Sequence, residues 1–199
     1  MPGVSDPGLR LVRAARDAGV AVEVLPGPTA AATAYVASGS ANPRFYFGGF
    51  FPRKDAERRA TLDALRSLDA ALIFYESPNR LVSALESLSE AYPCREGAVC
   101  RELTKLHEEV VRAPLPDLRE QFAARAAEGG RGIKGEIVLV IDGPNQAEGA
   151  AAEEDAEAAA RARAAELKAA GARNKDVARA IADEFGIARN TAYAIALEA

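Results

Sequence analysis

The chain has 199 residues, an apolar fraction of 49% and a formal net charge of −4, so it can build a packed core in one large or two small domains. Its apolar runs, such as residues 70–75 and 137–141, are far shorter than the ~20 residues of a membrane-spanning helix, and no such helix is predicted. The acidic net charge excludes a general attraction to nucleic acid, so any RNA contact requires a local basic patch.

The cysteines and the single histidine argue against a disulfide framework and against a metal site. Cys94 and Cys100 are the only two cysteines, and neither lies at a metal-ligand spacing from His107. The first residues also lack the basic and apolar stretches of a secretory signal. We therefore expect a cytoplasmic protein without a bound metal.

The first 42 residues predict a helix, a strand and a second helix. Asp6 is expected to cap a helix that starts at Pro7, residues 20–25 form a β-branched strand, and an alanine-rich helix covers residues 29–37. Glycine turns precede both helices. Because helix N-termini expose unpaired N–H groups, these turns suit a ligand, although glycines also occur in ordinary turns.

Strands and helices alternate through the middle of the chain. The predicted strands are residues 45–50, 70–76, 97–103, 107–113 and 136–142, and the predicted helices are residues 55–68, 79–92 and 116–128. This alternation predicts an α/β fold, and the antiparallel pair 97–113 makes the sheet mixed. Ligands of open α/β sheets bind beyond the carboxyl ends of the strands.

The character of the sequence changes near Asn145, where we place a domain boundary. Residues 148–157 are acidic and alanine-rich, which is typical of a linker or of the solvated start of a helix. About three helices follow, with breaks at Gly171 and Gly186.

Polar side chains stand at two of the predicted strand ends. Tyr75 and Glu76 either contact a ligand or simply pack and cap the next helix. Glu102 and Lys105 are either catalytic or a salt-bridged strand end. His107 is either a base that works near neutral pH or a structural residue of its strand.

Two sets of basic residues are candidate nucleic-acid contacts. The first set, Arg53, Lys54, Arg58 and Arg59, follows an aromatic run at residues 45–51, and its alternative is a solvated helix face. The second set is Arg173, Lys175, Arg179 and Arg189. Residues 174–185 and 189–197 also fit a helix-turn-helix whose second helix carries Arg189, Asn190, Thr191 and Tyr193, although short helix pairs also serve packing.

Six segments in order resemble one family. They are PGVSDPG at residues 2–8, LPGPTA at 25–30, GFFPRK at 49–54, FYESP at 74–78, RELTKLHEE at 101–109 and KGEIVLV at 134–140. Together they resemble the bacterial small-subunit ribosomal RNA methyltransferases that methylate a cytidine 2′-hydroxyl, within the tetrapyrrole-methylase-like class. The tail is similar to a small helical extension found on some members.

The resemblance implies a tetrapyrrole-methylase-like two-domain α/β fold with a small all-α tail. The expected domains are a remnant of the N-terminal domain at residues 1–42, a C-terminal α/β domain at 43–143, a linker at 144–152 and a helical extension at 153–199. The family places a further strand-loop region ahead of Pro2 that supplies much of the cofactor site. We therefore expect an incomplete N-terminal domain, weak or absent cofactor binding and no turnover by this chain.

The resemblance also implies S-adenosylmethionine as cofactor, small-subunit ribosomal RNA or the 30S subunit as substrate, and a homodimer. The expected cofactor contacts are Pro26, Gly27, Thr29, Ala30, Phe74, Tyr75 and Glu76. The candidate catalytic residues are Glu102, Lys105 and His107, and the candidate phosphate contacts are Arg53, Lys54, Arg58 and Arg59. A methylase of the same class that acts on a tetrapyrrole or another small molecule is the alternative.

Overall fold

The computed structural model describes residues 3–128 and 133–199, which form two compact units, one ending at Pro144 and the other starting at Asn145. Pro2, at the start of the first resembling segment, lies outside the described residues. No helix within the described ranges is long and apolar enough to cross a membrane. The predicted boundary between residues 42 and 43 falls inside the first unit.

The first unit alternates helices with the strands of one sheet. Its helices are α1 (Leu9–Asp17), α2 (Ala30–Ser38), α3 (Asp55–Leu65), α4 (Leu81–Ala91) and α5 (Leu115–Ala127). Its strands are β1 (Phe45–Phe50), β2 (Ala71–Glu76), β3 (Glu96–Arg101), β4 (Glu109–Pro114) and β5 (Ile137–Ile141), and a 3₁₀ turn covers Pro78–Arg80.

The sheet has the strand order β1-β2-β5-β3-β4. Strands β1 and β2 are parallel, whereas every other neighbouring pair is antiparallel, so the predicted α/β class with a mixed sheet is confirmed. Ile137 at the start of β5 pairs with Glu76 on one side and Arg101 on the other. The carboxyl ends of β2 and β3 therefore flank the beginning of β5.

The core lies on both faces of the central strands, because β2 and β5 are almost entirely apolar and buried. On one face, Leu81, Leu85 and Leu88 recur at helical spacing along α4 and join the buried cluster. Burying each of these leucines contributes about 1.5–3 kcal/mol. On the other face, the small side chains of Ala31 and Ala34 let α2 lie close to the sheet.

Residues 20–25 do not form the predicted strand. Val24 and Leu25 are exposed, and no described strand pairs with this segment. The β-branched pattern was misleading because a strand also needs a partner for its N–H and C=O groups. The predicted cap at Asp6 is likewise wrong, since α1 begins at Leu9 after Gly8, whose φ of 123° keeps Pro7 out of the helix.

The second unit consists of α6 (Gln146–Ala169), α7 (Asn174–Phe185) and α8 (Arg189–Glu198). Its core combines Ala160 and Ala164 of α6 with apolar residues of α7 and α8. Residues 146–152, part of the predicted linker 144–152, are the start of α6, and the Asn145 side chain caps it by accepting a hydrogen bond from the Glu148 N–H. The solvated helix start is thus the alternative that the structure supports.

Candidate functional site

A cavity of about 480 Å³ opens where the carboxyl ends of β1 and β2 meet. Its walls are residues 4–6, residues 28–30 before and at the start of α2, Phe50 with residues 75–78, and residues 135–138. The last segment reaches the cavity because β5 runs antiparallel to β2 and begins at the same sheet edge. The volume lies within the range of about 300–1,000 Å³ that is typical of small-molecule sites.

The cavity wall carries three acidic residues. Asp6, Glu76 and Glu136 belong to the lining, which includes no lysine or arginine. Two of these carboxylates have a cation beside them outside the lining, because Arg80 pairs with Glu76 at 2.6 Å and Lys105 pairs with Glu136 at 3.0 Å. The wall therefore offers hydrogen-bond acceptors to a ligand, while the protein already balances part of its negative charge.

Glu76 is the polar residue most enclosed in this wall, with a side chain that is 0% exposed. Its Oε1 accepts hydrogen bonds from Arg80 Nη2 at 2.6 Å and from the Ser77 N–H at 2.5 Å. Among the described residues, no donor reaches Glu76 Oε2. An unsatisfied buried acceptor costs about 1–3 kcal/mol, so a ligand donor at Oε2 would recover stabilisation.

Two aromatic rings form an apolar part of the wall. The Phe50 ring is 60% exposed and meets the Tyr75 ring edge-on, with centroids 5.6 Å apart. The Phe47 ring of β1 also packs edge-on against the Tyr75 ring of β2, with centroids 4.8 Å apart. Exposed flat rings of this kind bind planar heterocycles by stacking.

Four of the seven expected cofactor contacts line the cavity, namely Thr29, Ala30, Tyr75 and Glu76. Thr29 caps α2 by accepting a hydrogen bond from the Ala32 N–H at 3.2 Å. Pro26 and Gly27 are exposed and lie outside the lining. The Phe74 side chain also lies outside it, because strand alternation turns Phe74 into the core against Phe51, so the expected cofactor contact at Phe74 stays a prediction for its backbone groups.

Glu102 and Lys105 form a network with the wall segment at residues 135–138. Lys105 Nζ donates to Glu102 Oε1 at 2.9 Å and to Glu136 Oε2 at 3.0 Å, and the Glu136 N–H donates to Glu102 Oε1 at 2.8 Å. Gly135 has a φ of 95°, and a Cβ at this position would lie 2.4 Å from Glu102 Cγ. The network therefore requires glycine at 135 and holds Glu136 at the cavity.

The network fixes the charge states of its members. The hydrogen bond from the Glu136 N–H, followed by that from Lys105, lowers the pKa of Glu102. The Glu102 carboxylate, followed by that of Glu136, raises the pKa of Lys105. At neutral pH Glu102 is an anion and Lys105 an ammonium ion that accepts no proton. His107 is exposed and lies outside the cavity lining.

The expected phosphate contacts separate into a buried residue and three exposed ones. Arg58 is 5% exposed and donates to the Pro52 carbonyl at 2.8 Å and to Ser83 Oγ at 2.7 Å. Its guanidinium group links α3 to α4, so the expectation that Arg58 contacts phosphate is wrong. Arg53, Lys54 and Arg59 are exposed.

Sequence reasoning left out two wall segments. Ser5 and Asp6 belong to a turn motif, and Gly135 and Glu136 belong to the last resembling segment, yet none was a candidate site residue. The available signal was the glycine at 135 immediately before a buried strand, since glycine there permits a close approach of neighbouring groups.

Comparison with known families identifies the class of protein that this fold and site define. The sequence model of the tetrapyrrole (corrin/porphyrin) methylases matches residues 1–119, which is more than half of the chain. The chain therefore belongs to the tetrapyrrole methylase family, whose members depend on S-adenosylmethionine.

Within this family, the chain is similar to proteins named as ribosomal RNA methyltransferases. Over 143 residues the chain is 47% identical to the "Ribosomal RNA small subunit methyltransferase I" of Mycobacterium tuberculosis (strain ATCC 25618 / H37Rv), covering 71% of this chain and 48% of the relative. Over 192 residues it is 40% identical to the protein of the same name from Micromonospora olivasterospora, covering 96% of this chain and 58% of that one. The chain thus spans about half the length of these relatives.

One solved structure with similarity to the chain is that of the methyltransferase CobJ. The two are 24% identical with a TM-score of 0.49, and the similarity covers 72% of this chain and 66% of CobJ.

Proposed function

We propose that this chain carries a large part of an S-adenosylmethionine-dependent enzyme that methylates the 2′-hydroxyl of a cytidine in small-subunit ribosomal RNA. The family supports the methylase class, and the names of relatives at 40–47% identity support the RNA substrate. The single observation that carries the cofactor assignment is the buried carboxylate of the cavity residue Glu76, whose Oε2 has no donor among the described residues.

The chemistry of the wall fits this cofactor. S-adenosylmethionine carries a positive sulfonium and a positive ammonium group, and its methyl group is the electrophile of the reaction. The carboxylates of Asp6, Glu76 and Glu136 are acceptors for these groups, and Arg80 and Lys105 already pair with two of them. Glu76 Oε2 is placed to accept a hydrogen bond from a ribose hydroxyl or the ammonium, and the Phe50 ring provides a stacking surface for adenine.

The chain's own residues contribute mainly by positioning. Transfer of a methyl group to a hydroxyl needs the acceptor oxygen in line with the leaving group, and good alignment is worth effective molarities of about 10⁵–10⁸ M. We assign Glu102 and Lys105 to positioning, because their network holds the cavity residue Glu136. His107 is exposed and lies outside the cavity lining, so its candidacy as proton acceptor rests on the chemistry of its side chain alone.

RNA is proposed to approach along the loop that follows β1. Arg53 and Lys54 are exposed, form no ion pair within the described residues and begin only three positions after the cavity residue Phe50. Arg59 is exposed one turn further along, in α3. Exposed cations in this loop are suited to hold the RNA backbone while one ribose enters the cavity.

The test is transfer of a radiolabelled methyl group from S-adenosylmethionine to unmodified small-subunit RNA and to 30S particles. Two proteins are compared: this chain, and a fusion carrying any segment that the Micromonospora relative has ahead of its matched region. We expect label in an alkali-resistant dinucleotide with a 5′ cytidine, because 2′-O-methylation blocks alkaline cleavage, and we expect more label with the fusion. Label on a base, or labelling of a small tetrapyrrole instead of RNA by both proteins, would overturn the assignment.

The phosphate contacts are tested by salt dependence. Replacing Arg53 and Lys54 by alanine should weaken RNA binding and lower the slope of log affinity against log salt by about 1.4 for single-stranded RNA. The matched control replaces Arg10 and Arg13, two exposed arginines of α1, and should leave the slope unchanged. An unchanged slope in the Arg53 and Lys54 variant refutes these contacts. The homodimer and the cytoplasmic location stay predictions.

A further inference from the structure

The second unit carries a basic groove that the methylase site does not use. The groove has a volume of about 350 Å³ and lies between α7 and the first turns of α8. Its charged lining residues are Lys175, Arg179 and Arg189 together with a single acid, Asp183. The family model ends at residue 119, so it assigns nothing to this unit.

The helix pair that forms the groove is rigidly built. Val177 and Ile181 of α7 and Ile195 of α8 are buried in a common core. The connection between the helices is only residues 186–188, and Gly186 takes the left-handed φ of 67° at the end of α7. Because packing serves one face of each helix, the groove face is left free to present its polar residues.

The cations of the groove are available for a ligand. Within the described part of the chain, Lys175 and Arg189 form no ion pair, and Arg179 approaches Asp176 only at 3.9 Å with both side chains largely exposed. The arginines of α6 differ, since Arg161 pairs with Glu157 and Arg163 pairs with Glu166. The groove therefore carries more positive than negative charge, in a chain whose net charge is −4.

An aromatic ring stands beside these cations. Tyr193 lines the groove from α8 and is 50% exposed. Cations that hold phosphates and an exposed ring that stacks on an unpaired base are the two elements of single-strand recognition. A duplex offers no unpaired base to such a ring.

We propose that the groove between α7 and α8 is a second nucleic-acid site that binds single-stranded RNA, with Lys175, Arg179 and Arg189 on phosphates and Tyr193 stacked on a base. The choice of RNA rests on the proposed function of the first unit. The groove and the cavity share no lining residue, so we expect substitutions in the groove to leave cofactor binding unchanged.

The test is fluorescence anisotropy of the whole chain with a labelled, unstructured RNA of about twelve nucleotides, within the usual single-strand site sizes, at several salt concentrations. Replacing Lys175 and Arg189 by alanine should lower the salt slope by about 1.4 and weaken binding at least tenfold at low salt. The control replaces the ion-paired Arg161 and Arg163 by alanine, which removes the same charge and should change the slope little. Equal effects in both variants, or no change in either, overturn the proposal.

The aromatic contact is tested separately with two substitutions. Tyr193→Ala should weaken RNA binding by about fivefold to a hundredfold, whereas Tyr193→Phe, which keeps the ring, should bind like the unchanged chain. Equal losses in both variants contradict stacking. Stronger competition by duplex DNA than by the RNA contradicts the choice of single-stranded RNA. These readouts need no turnover, so they stand even if the methylation assay fails.

Discussion

Glu76 and Glu102 stand at the ends of β2 and β3, the two strands that flank β5, and each pairs with a basic residue a few positions later. Their surroundings differ. Glu76 is fully enclosed and has one oxygen without a donor among the described residues. Glu102 is 19% exposed, and its Oε1 accepts hydrogen bonds from Lys105 Nζ and from the Glu136 N–H.

From this difference we expect Glu76 to bind a ligand and Glu102 to hold the cavity wall in place. A buried acceptor without a donor lowers stability unless something else binds it, so its presence in a cavity wall favours ligand binding there. A carboxylate whose hydrogen bonds are made by the protein has less to offer a ligand. Two similar motifs at one sheet edge thus have different expected roles.

The largest expected effect is on cofactor binding. Glu76→Gln keeps an oxygen for Arg80 and Ser77 but removes the charge, and hydrogen bonds to charged groups contribute about 1.5–3 kcal/mol. We expect S-adenosylmethionine affinity, measured by calorimetry on the fusion protein, to fall about tenfold to 150-fold. Glu102→Gln is the matched control and should change the affinity by less than about threefold. Equal losses in the two variants would remove the distinction between these carboxylates.

The next effect is on stability. Gly135→Ala places a Cβ against the Glu102 side chain at a φ of 95°, so we expect the free energy of unfolding to fall by about 1–3 kcal/mol in denaturant titrations. Gly27→Ala is the control in the same unit, since a Cβ there meets no atom within 4 Å, and it should change stability by less than about 0.5 kcal/mol. Full stability in Gly135→Ala would show that the network does not depend on this close approach.

A smaller effect is expected in the pH dependence of stability. The folded-state pKa of Glu102 lies below its ordinary 4.5, so its ionised form favours the folded state. That contribution is present above pH 4.5 and is lost as the pH falls through the lower folded-state pKa. The stability difference between the unchanged chain and Glu102→Gln should therefore be present at pH 7 and vanish in acid. A difference that grows in acid contradicts this assignment.

The smallest expected effect is on the rate at which the end of β3 opens and exposes Cys100. Burial, followed by the charge of Glu108, raises the pKa of Cys100 to about 12, whereas Cys94 is exposed. A disulfide reagent at neutral pH should label Cys94 quickly and Cys100 only as fast as the strand opens. Gly135→Ala should speed the labelling of Cys100, and rapid labelling of Cys100 in the unchanged chain would show that this region is already loose.

The sequence predicts most of the sheet because its strands are strongly apolar. Residues 70–76 and 136–142 differ from β2 and β5 by no more than a residue at each end. Residues 20–25 share the β-branched composition but gain no partner strand. Composition describes what a segment can do locally, and pairing depends on segments far away in the chain.

The candidate site was predictable only in part for the same reason. Tyr75 and Glu76 follow from the rule that ligands lie beyond strand ends. The wall at Gly135 and Glu136 depends on β5 running antiparallel to β2, a pairing that no local pattern shows. In the sequence nothing distinguishes Arg58 from the charged residues beside it. Its burial depends on a hydrogen bond to Ser83, which lies far along the chain.

The position of β5 has a consequence for synthesis of the chain. The strand made last in the first unit occupies the centre of the sheet, between β2 and β3. A ribosome that has completed β3 and β4 has therefore made a sheet that still lacks its middle. Insertion of β5 between β2 and β3 must therefore wait until residues 137–141 have left the ribosome, after both neighbouring strands have been made.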